Sequence, residues 1–275
     1  MRIIKFFICT VYLLLANIAH GQQAPLVLGV QEGSGSSGDS EYSVNKYKPF
    51  AELISKYLKR EVKVMGLSPA RQYSESELKS VDVLFSRPSS VSGFAMVKLG
   101  FLPVISFQTN APTKIVLVGE PLAKNLLDPK SNQRFRVVLP SEGDSHDVAI
   151  NMLTQRHIKL SDVTLQKVTL QGTIPFALES KLADIGVLKS DSSVMQSLKA
   201  NKFVVLAESE PLPPWALLAS GRLGAEFQEK LKLIMMSMNE HPEQKAYLKT
   251  LRITGLIDFN EAAYLNMNKL HVSLK

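Results

Sequence analysis

The sequence predicts an α/β protein of two lobes, each a mostly parallel sheet flanked by helices. Short apolar runs alternate with stretches whose apolar residues recur at three- and four-residue spacing, and the second half repeats the pattern of the first. Two further apolar runs, 114–118 and 212–218, are predicted to cross between the lobes as hinge strands. We expect residues 22–115 and 216–275 to form the first lobe and residues 116–215 the second.

The first series of elements opens with an apolar run at 25–30, a predicted buried strand. A helix is expected from Asn45, with Pro49 in its first turn, where a missing N–H costs nothing. Strands are expected at 62–65 and 81–85. This strand, helix, strand order is typical of a parallel sheet with right-handed crossovers.

The second series begins with a strand at 135–139, followed by the polar loop 141–146 and a helix at 147–156. Further strands are expected at 163–168 and 183–188. The second half thus repeats the logic of the first, which supports a second lobe of the same kind.

Residues 1–21 are predicted to be a cleavable secretory signal peptide. Positive charge precedes an apolar stretch at 6–16, and small residues lead up to Gly21. Removal of this segment takes away Cys9, the only cysteine, which excludes thiolate metal sites and cysteine nucleophiles. A chain without disulfides fits a bacterial periplasm at least as well as an animal secretome. We expect the mature protein in the periplasm.

The charge pattern argues against a nucleic-acid partner. Without Arg2 and Lys5, 30 of the 32 basic residues remain against 25 acidic ones, and they are scattered rather than collected into runs. Neither a Gly-x-Ser-x-Gly elbow nor a His-Glu-x-x-His motif is present. The run Ser145-His146-Asp147 places neighbours that point in different directions, unlike a catalytic triad. We therefore predict no catalytic residue, no metal and no cofactor.

Loop 141–146 is the first candidate anion site. It lies between a predicted strand and a predicted helix, whose first N–H groups have no intrahelical partner and sit at the positive end of the helix dipole. An alternative is that Ser141, Asp144 and Ser145 only cap that helix, because Ser and Asp are preferred N-cap residues.

A matching arrangement occurs in the first half, at the Ser-rich loop 86–90 before a predicted helix. Arg87 is its most suggestive residue, because a guanidinium offers two parallel donors to a carboxylate or an oxyanion. The alternative is a structural ion pair of Arg87 with Glu32 or Asp82.

Several short motifs in the same order resemble a known family. They are Tyr47-Lys48-Pro49-Phe50-Ala51, Asp82-Val83-Leu84-Phe85-Ser86-Arg87-Pro88, Leu139-Pro140 with Asp144-Ser145, Leu182-Ala183-Asp184-Ile185-Gly186-Val187, and Pro211-Leu212-Pro213. This order is similar to that of the phosphate, phosphite and phosphonate-binding periplasmic proteins of ABC importers. The resemblance covers nearly the whole mature chain and depends on the order of the pieces, since each piece is short.

The resemblance implies a type 2 periplasmic binding fold that captures a small anionic ligand in the cleft between the lobes. The implied partner is an ABC transporter membrane permease. The alternative is a sensory or adaptor protein of the same fold that signals to a membrane sensor. We expect a monomer. The residues that the resemblance places at the cleft are Tyr42, Tyr47, Ser86, Arg87, Ser89, Ser90, Ser141, Asp144, Ser145, His146, Thr173 and Asp184.

The second-lobe loops depart from the family pattern. Phosphonate binders of this family carry a Ser-Thr-Ser-like run and a Ser-His pair, where this chain has 142–146 and 172–174. Glu142 and Asp144 would repel a dianion, and the histidine of the pair is absent. The ligand is therefore open between a phosphonate or phosphate-like oxyanion and another small anion, such as a carboxylate held by Arg87.

Overall fold

The computed structural model describes residues 23–35, 40–195, 198 and 202–274. The predicted signal peptide, residues 1–21, lies outside this part of the chain. Within it, no helix is long and apolar enough to cross a membrane.

Strands and helices alternate in two successive series, as the sequence predicts. The strands are β1 (Leu26–Gln31), β2 (Val62–Gly66), β3 (Val83–Ser86), β4 (Phe101–Thr109), β5 (Ile115–Gly119), β6 (Phe135–Pro140), β7 (Val163–Val168), β8 (Ile185–Lys189), β9 (Val204–Glu208), β10 (Trp215–Ser220) and β11 (Ile253–Ile257). The α-helices with described bounds are α1 (Ser40–Leu58), α2 (Glu75–Lys79), α3 (Ser89–Leu99), α4 (Asp144–Gln155), α5 (Ile174–Glu179), α6 (Gly224–Met238), α7 (Pro242–Thr250) and α8 (Glu261–Ser273).

The strands form two mixed sheets, and each sheet with its helices is called a lobe below. The first lobe has the strand order β11-β4-β10-β3-β1-β2, and the second has β7-β6-β8-β5-β9. β1 runs parallel to β2 and β3, and β6 to β7 and β8, whereas β5 and β10 are antiparallel to both neighbours. The predicted two-lobed α/β architecture is confirmed. The sheets are mixed rather than mostly parallel, because the strands next to the crossings enter their sheets in the opposite direction.

Two short segments connect the lobes. The chain passes from β4 to β5 through 110–114 and returns from β9 to β10 through 209–214. The two connections are joined where the Leu212 N–H donates to the Thr113 carbonyl at 2.8 Å. A pair of adjacent connections is a geometry about which two lobes can rotate.

Aromatic side chains fill the first-lobe core beneath the cleft between the lobes. The ring of Phe85 on β3 lies 5.0 Å from that of Tyr47, 5.1 Å from that of Phe107 and 6.3 Å from that of Trp215, between centroids. All four side chains are buried. Tilted and edge contacts of this kind are the favourable ones for aromatic pairs, and they fix Trp215 and Tyr47 at the base of the cleft.

Helix α1 begins earlier than the sequence predicts. It begins at Ser40 rather than Asn45, so that Pro49 lies inside the helix and not in its first turn. The buried face of Tyr47 and Phe50 continues back to Ser43, one turn earlier, which is also buried. This tertiary packing outweighs the loss of one backbone hydrogen bond at Pro49.

The C-terminal helix α8 contacts both lobes. It packs along α3 of the first lobe and touches α4 of the second, where Met267 and Leu270 join the apolar core. The Tyr264 hydroxyl donates to the Pro214 carbonyl, in the second connection, at 2.8 Å. Gly93 permits the close approach of α3 to α8, because a Cβ at this position would lie 2.2 Å from the Tyr264 carbonyl oxygen.

We predict that Gly93→Ala destabilises the protein, because the added methyl group has to push α3 and α8 apart. Overpacking of this kind costs about 1–3 kcal/mol, or roughly 2–10 °C in the unfolding midpoint for a chain of this size. Gly172→Ala is the matched control, since a Cβ there meets no atom within 4 Å. Thermal unfolding followed by circular dichroism checks this. Equal midpoints for the two variants would contradict the tight α3–α8 contact.

Candidate functional site

A cavity of about 270 Å³ lies between the two lobes. Its walls include the carboxyl ends of β1, β3 and β8, the edge at which open α/β sheets bind ligands. The first lobe contributes Glu32, Tyr42, Lys46, Arg87, Trp215, Thr250, Leu251 and Arg252, and the second lobe contributes Gln171, Lys189, Asp191, Ser192 and Ser193. Because both lobes line the cavity, its shape depends on how they are held together.

A buried carboxylate organises the first-lobe wall. Glu32 directly follows β1 and Arg87 follows the parallel neighbour β3, so the sheet brings the two side chains together. The Glu32 carboxylate lies 2.7 Å from Lys46 Nζ and 3.6 Å from an Arg87 guanidinium nitrogen. It also accepts hydrogen bonds from Tyr47 and Ser43, at 3.0 and 3.2 Å. Of the two carboxylates considered as ion-pair partners of Arg87, Glu32 is the one that lies beside it in the structure.

The ionisation of this cluster follows from burial and charge. Burial raises the pKa of Glu32, but the positive charges of Arg87 and Lys46, together with hydrogen bonds from Lys46 and Tyr47, lower it by more, so that the net pKa is lowered. Burial also lowers the pKa of Lys46, and the nearby Arg87 charge adds to this, partly offset by Glu32. Glu32 is therefore an anion that balances one of its two cationic neighbours.

Arg87 lies over the ring of Trp215, the only tryptophan. Its guanidinium carbon lies 4.0 Å from the centre of the Trp215 ring, a cation–π contact. Among the described residues, no group accepts a hydrogen bond from the buried Arg87 Nε. Stacking leaves the edge of a guanidinium available for planar acceptors such as a carboxylate.

Lys189 is the principal cation of the second-lobe wall. It ends β8, is only 9% exposed, and has no carboxylate within 4.0 Å among the described residues. Its backbone N–H donates to Gln171 Oε1 at 3.0 Å, while Gln171 Nε2 donates to Ser34 Oγ of the first lobe at 3.1 Å. The amide of Gln171 thus ties the Lys189 wall to the opposite lobe.

The cavity carries a net positive charge. Its four cationic side chains are Lys46, Arg87, Lys189 and Arg252, and its two carboxylates are Glu32 and Asp191. Glu32 already pairs with two of the cations. The arrangement favours a small negatively charged ligand and disfavours a cation.

A second polar cluster joins the lobes at the first turn of α3. The N–H and the hydroxyl of Ser89 donate to Asp144 Oδ2, at 2.8 and 3.1 Å. The Ser90 N–H donates to Oδ1 at 2.9 Å, and the Ser90 hydroxyl makes a short hydrogen bond to the same oxygen. Asp144 is 2% exposed. It does not cap its own helix, which begins after Gly143 without a side-chain cap, and caps the facing helix instead.

The family is identified by a family model that matches residues 123–264, more than half of the chain. The model describes the periplasmic substrate-binding protein of phosphonate ABC transporters. This chain belongs to that family. As the sequence predicts, the protein is the periplasmic substrate-binding component of an ABC transporter, and this finding supports that reading over the sensory or adaptor alternative.

Solved structures agree with this assignment at the level of the fold. The phosphonate-binding protein PhnD1 from Prochlorococcus marinus, solved with methylphosphonate, has a TM-score of 0.70 at 16% identity over 90% of this chain and 97% of its own. XAC2383 from Xanthomonas citri, solved with ATP, has a TM-score of 0.74 at 14% identity over 92% of this chain and 97% of its own.

A binding component of an ABC phosphonate transporter from Pseudomonas aeruginosa has a TM-score of 0.70 at 14% identity, over 91% of this chain and 86% of its own. No curated protein matches the chain. These likenesses confirm the predicted type 2 periplasmic binding fold.

A buried hydrogen-bonded cluster of one carboxylate and two histidines also lies at the seam between the lobes in this binding protein. On α4, the Asp147 carboxylate lies 3.0 Å from His146 Nδ1 and 2.7 Å from Nδ1 of His271 on α8. The His271 ring stacks on Tyr73 of the first lobe, with 3.7 Å between the centroids. Burial raises the pKa of Asp147, but the hydrogen bonds and charges of the two histidines lower it by more, which gives a lowered pKa.

The lowered pKa of Asp147 predicts how its contribution to stability depends on pH. Because the folded protein binds this proton less tightly than the unfolded chain, the ionised carboxylate stabilises the fold above the unfolded value, about pH 3.9. That stabilisation is lost as the pH falls through the lower folded pKa. The excess unfolding free energy of the parent over Asp147→Asn should therefore shrink below about pH 4.

Urea unfolding of both proteins between about pH 6 and pH 3 measures this difference. Asp258→Asn is the control, because the Asp258 side chain is 95% exposed. A difference for Asp147→Asn that stays constant with pH, or that follows the control, would refute the role of the buried carboxylate.

The structure brings half of the twelve predicted site residues to the seam between the lobes, in two groups. Tyr42 and Arg87 line the cavity. Ser89 and Ser90 meet Asp144, and Ser145 lies beside them. Ser145 Oγ accepts a hydrogen bond from Gln171 Nε2 at 3.4 Å.

Four other predicted residues support the site from behind or lie beside it. Tyr47 is fully buried and donates to Glu32, and the Ser86 hydroxyl donates to the Pro88 carbonyl. The Ser141 N–H donates to the Val168 carbonyl of β7, and His146 pairs with Asp147. None of these four lines the cavity.

Asp184 and Thr173 do not reach the cavity. Asp184 precedes β8 and forms a two-pronged ion pair with Arg136 at the start of β6, with contacts of 2.8 and 3.1 Å. This is the amino edge of the sheet, about 17 Å from the carboxyl edge for a strand of this length. The exposed Thr173 hydroxyl donates to the Leu170 carbonyl and caps a turn.

Sequence reasoning missed several residues that line the cavity. They are Glu32, Lys46, Gln171, Lys189, Asp191, Ser192, Ser193, Trp215, Thr250, Leu251 and Arg252. Lys189 could have been predicted in the same way as Arg87, because each is a cation directly at the carboxyl end of a buried strand. Gln171 has no such signal, because its role depends on a long-range contact with Ser34.

Proposed function

We propose that this binding protein captures a small anion in the cavity between its lobes and presents it to an ABC transporter permease. The Lys189 side chain carries the proposal, because it lines the cavity, the residue is only 9% exposed, and no carboxylate lies within 4.0 Å of it among the described residues. An anion in the cavity would supply that partner. Arg87 adds a second cation on the opposite wall, with its guanidinium edge available as a donor.

The size of the cavity limits the ligand. Pockets for drug-sized molecules have volumes of about 300–1,000 Å³, and this cavity of about 270 Å³ lies at the lower end. A molecule of methylphosphonate size suits it, and methylphosphonate is the ligand of the similar Prochlorococcus marinus protein. We propose a phosphonate, a phosphate-like oxyanion or a small carboxylate as the solute.

We further propose how the protein works. It acts as a monomer without catalysis, in the periplasm, after removal of residues 1–21. The lobes divide within one residue of the predicted bounds, 22–115 with 216–275 and 116–215, because Ile115 begins β5 of the second lobe and Trp215 begins β10 of the first. The lobes rotate about the two connections. A permease is preferred to a separate membrane sensor as the partner, because the matching family model describes a transporter component.

We predict that Lys189→Met weakens anion binding by at least about 30-fold. Methionine fills a similar volume but removes the charge, and loss of one partner of a buried charge pair costs about 2–5 kcal/mol. Lys167→Met is the control, because Lys167 is an exposed lysine on β7 that forms no ion pair with a described residue and does not line the cavity.

A thermal-shift screen of the mature protein with methylphosphonate, phosphate, phosphite, sulfate and small carboxylates measures this effect. A solute at 100 times its Kd stabilises a protein by about 2.7 kcal/mol, or roughly 5–10 °C. The expected result is a shift with at least one anion that Lys189→Met loses and Lys167→Met keeps. A shift that survives in Lys189→Met would place the solute elsewhere.

A further inference from the structure

The contact of Asp144 with the first turn of α3 is made between lobes. The carboxylate comes from the first residue of α4 in the second lobe, and it receives two backbone N–H groups and two hydroxyl groups from Ser89 and Ser90 in the first lobe. All of these groups are buried. These four donors satisfy both carboxylate oxygens.

Two helix dipoles converge on this carboxylate. Helix α3 has 11 residues and helix α4 has 12, and both begin at the carboxylate. The N-terminus of a helix attracts anions, because its first N–H groups lack partners and carry partial positive charge. The side chain of Asp144 thus takes the position of an anion bound at the N-terminus of α3, while Asp144 itself begins α4.

We propose that Asp144 is a resident anion of this protein, with two consequences. It links the lobes without any solute, and it excludes free oxyanions from the Ser89 and Ser90 donors. The solute is thereby directed to the neighbouring cavity. The two regions share a wall, since Gln171 lines the cavity and donates to Ser145, the residue next to Asp144.

The test removes the carboxylate and supplies it again from solution. Asp144→Ala leaves the donors of Ser89 and Ser90 facing a space of carboxylate size, which formate fits. Two readouts are followed, the unfolding midpoint and the radius of gyration from small-angle X-ray scattering, as sodium formate replaces sodium chloride at constant ionic strength. Neither readout involves a cavity solute, so failure of the proposed anion transport would leave this proposal standing.

We expect Asp144→Ala to unfold about 5 °C or more below the parent, to have a larger radius of gyration, and to recover toward the parent in both readouts with formate. Glu142→Ala is the matched control. Glu142 is a carboxylate of the same loop that accepts an interlobe hydrogen bond from the Gln72 N–H at 3.0 Å, but it does not face the α3 N-terminus. Its variant should not respond to formate.

Asp144→Asn is the second variant, in case the alanine variant does not fold. It keeps the side-chain size but turns an amide NH₂ toward donors, so we expect a larger radius of gyration than the parent and no response to formate. A parent-like radius for both Asp144 variants, or an equal formate response in Glu142→Ala, would overturn the proposal.

Discussion

Buried polar contacts between the lobes set the shape of the cleft. Asp144 on α4 binds the first turn of α3, Gln171 bonds to Ser34, and Asp147 pairs with His271 on the helix that touches both lobes. Each contact has a directional requirement, so together they define one relative position of the lobes. The cavity and its charged walls follow from that position, because neither lobe encloses the space alone.

The electrostatics of the site follow from the direction of the strands. Parallel strands β1 and β3 end side by side and carry Glu32 and Arg87, while β8 of the other lobe ends at Lys189. Glu32 neutralises part of the first wall, and Lys189 leaves the second wall positive. A site that both lobes must complete is suited to a receptor that releases its solute when the lobes separate.

Much of this arrangement can be predicted from the sequence. The alternation of strands and helices predicted the two series of elements, and the polar loops after the strands predicted that Arg87, Ser89, Ser90 and Asp144 lie at the cleft. The sequence does not show which residue each of these side chains contacts. Asp144 was expected to lie in a candidate anion-binding loop, where its charge would repel a dianion, or to cap its own helix, and it caps a helix 55 residues away in the chain.

Asp184 was misplaced for a different reason. It was taken over from the family resemblance, although it precedes its strand and so lies at the edge opposite to the cleft. Gln171 was missed because its two lobe-bridging bonds depend on how the lobes approach each other, which no local pattern encodes. Periodicity and strand direction predict positions within a lobe, whereas contacts between lobes require the folded structure.

Trp215 offers the most direct measurement of the central claim that the cavity between the lobes binds a small anion. It is the only tryptophan of the chain, it lines the cavity, and its ring lies under Arg87. Fluorescence excited where tryptophan but not tyrosine absorbs, titrated with methylphosphonate, phosphate and small carboxylates, therefore reports on the surroundings of the cavity. We predict a saturable change in Trp215 emission with at least one of these anions. Emission that stays unchanged with all of them up to millimolar concentrations would contradict it.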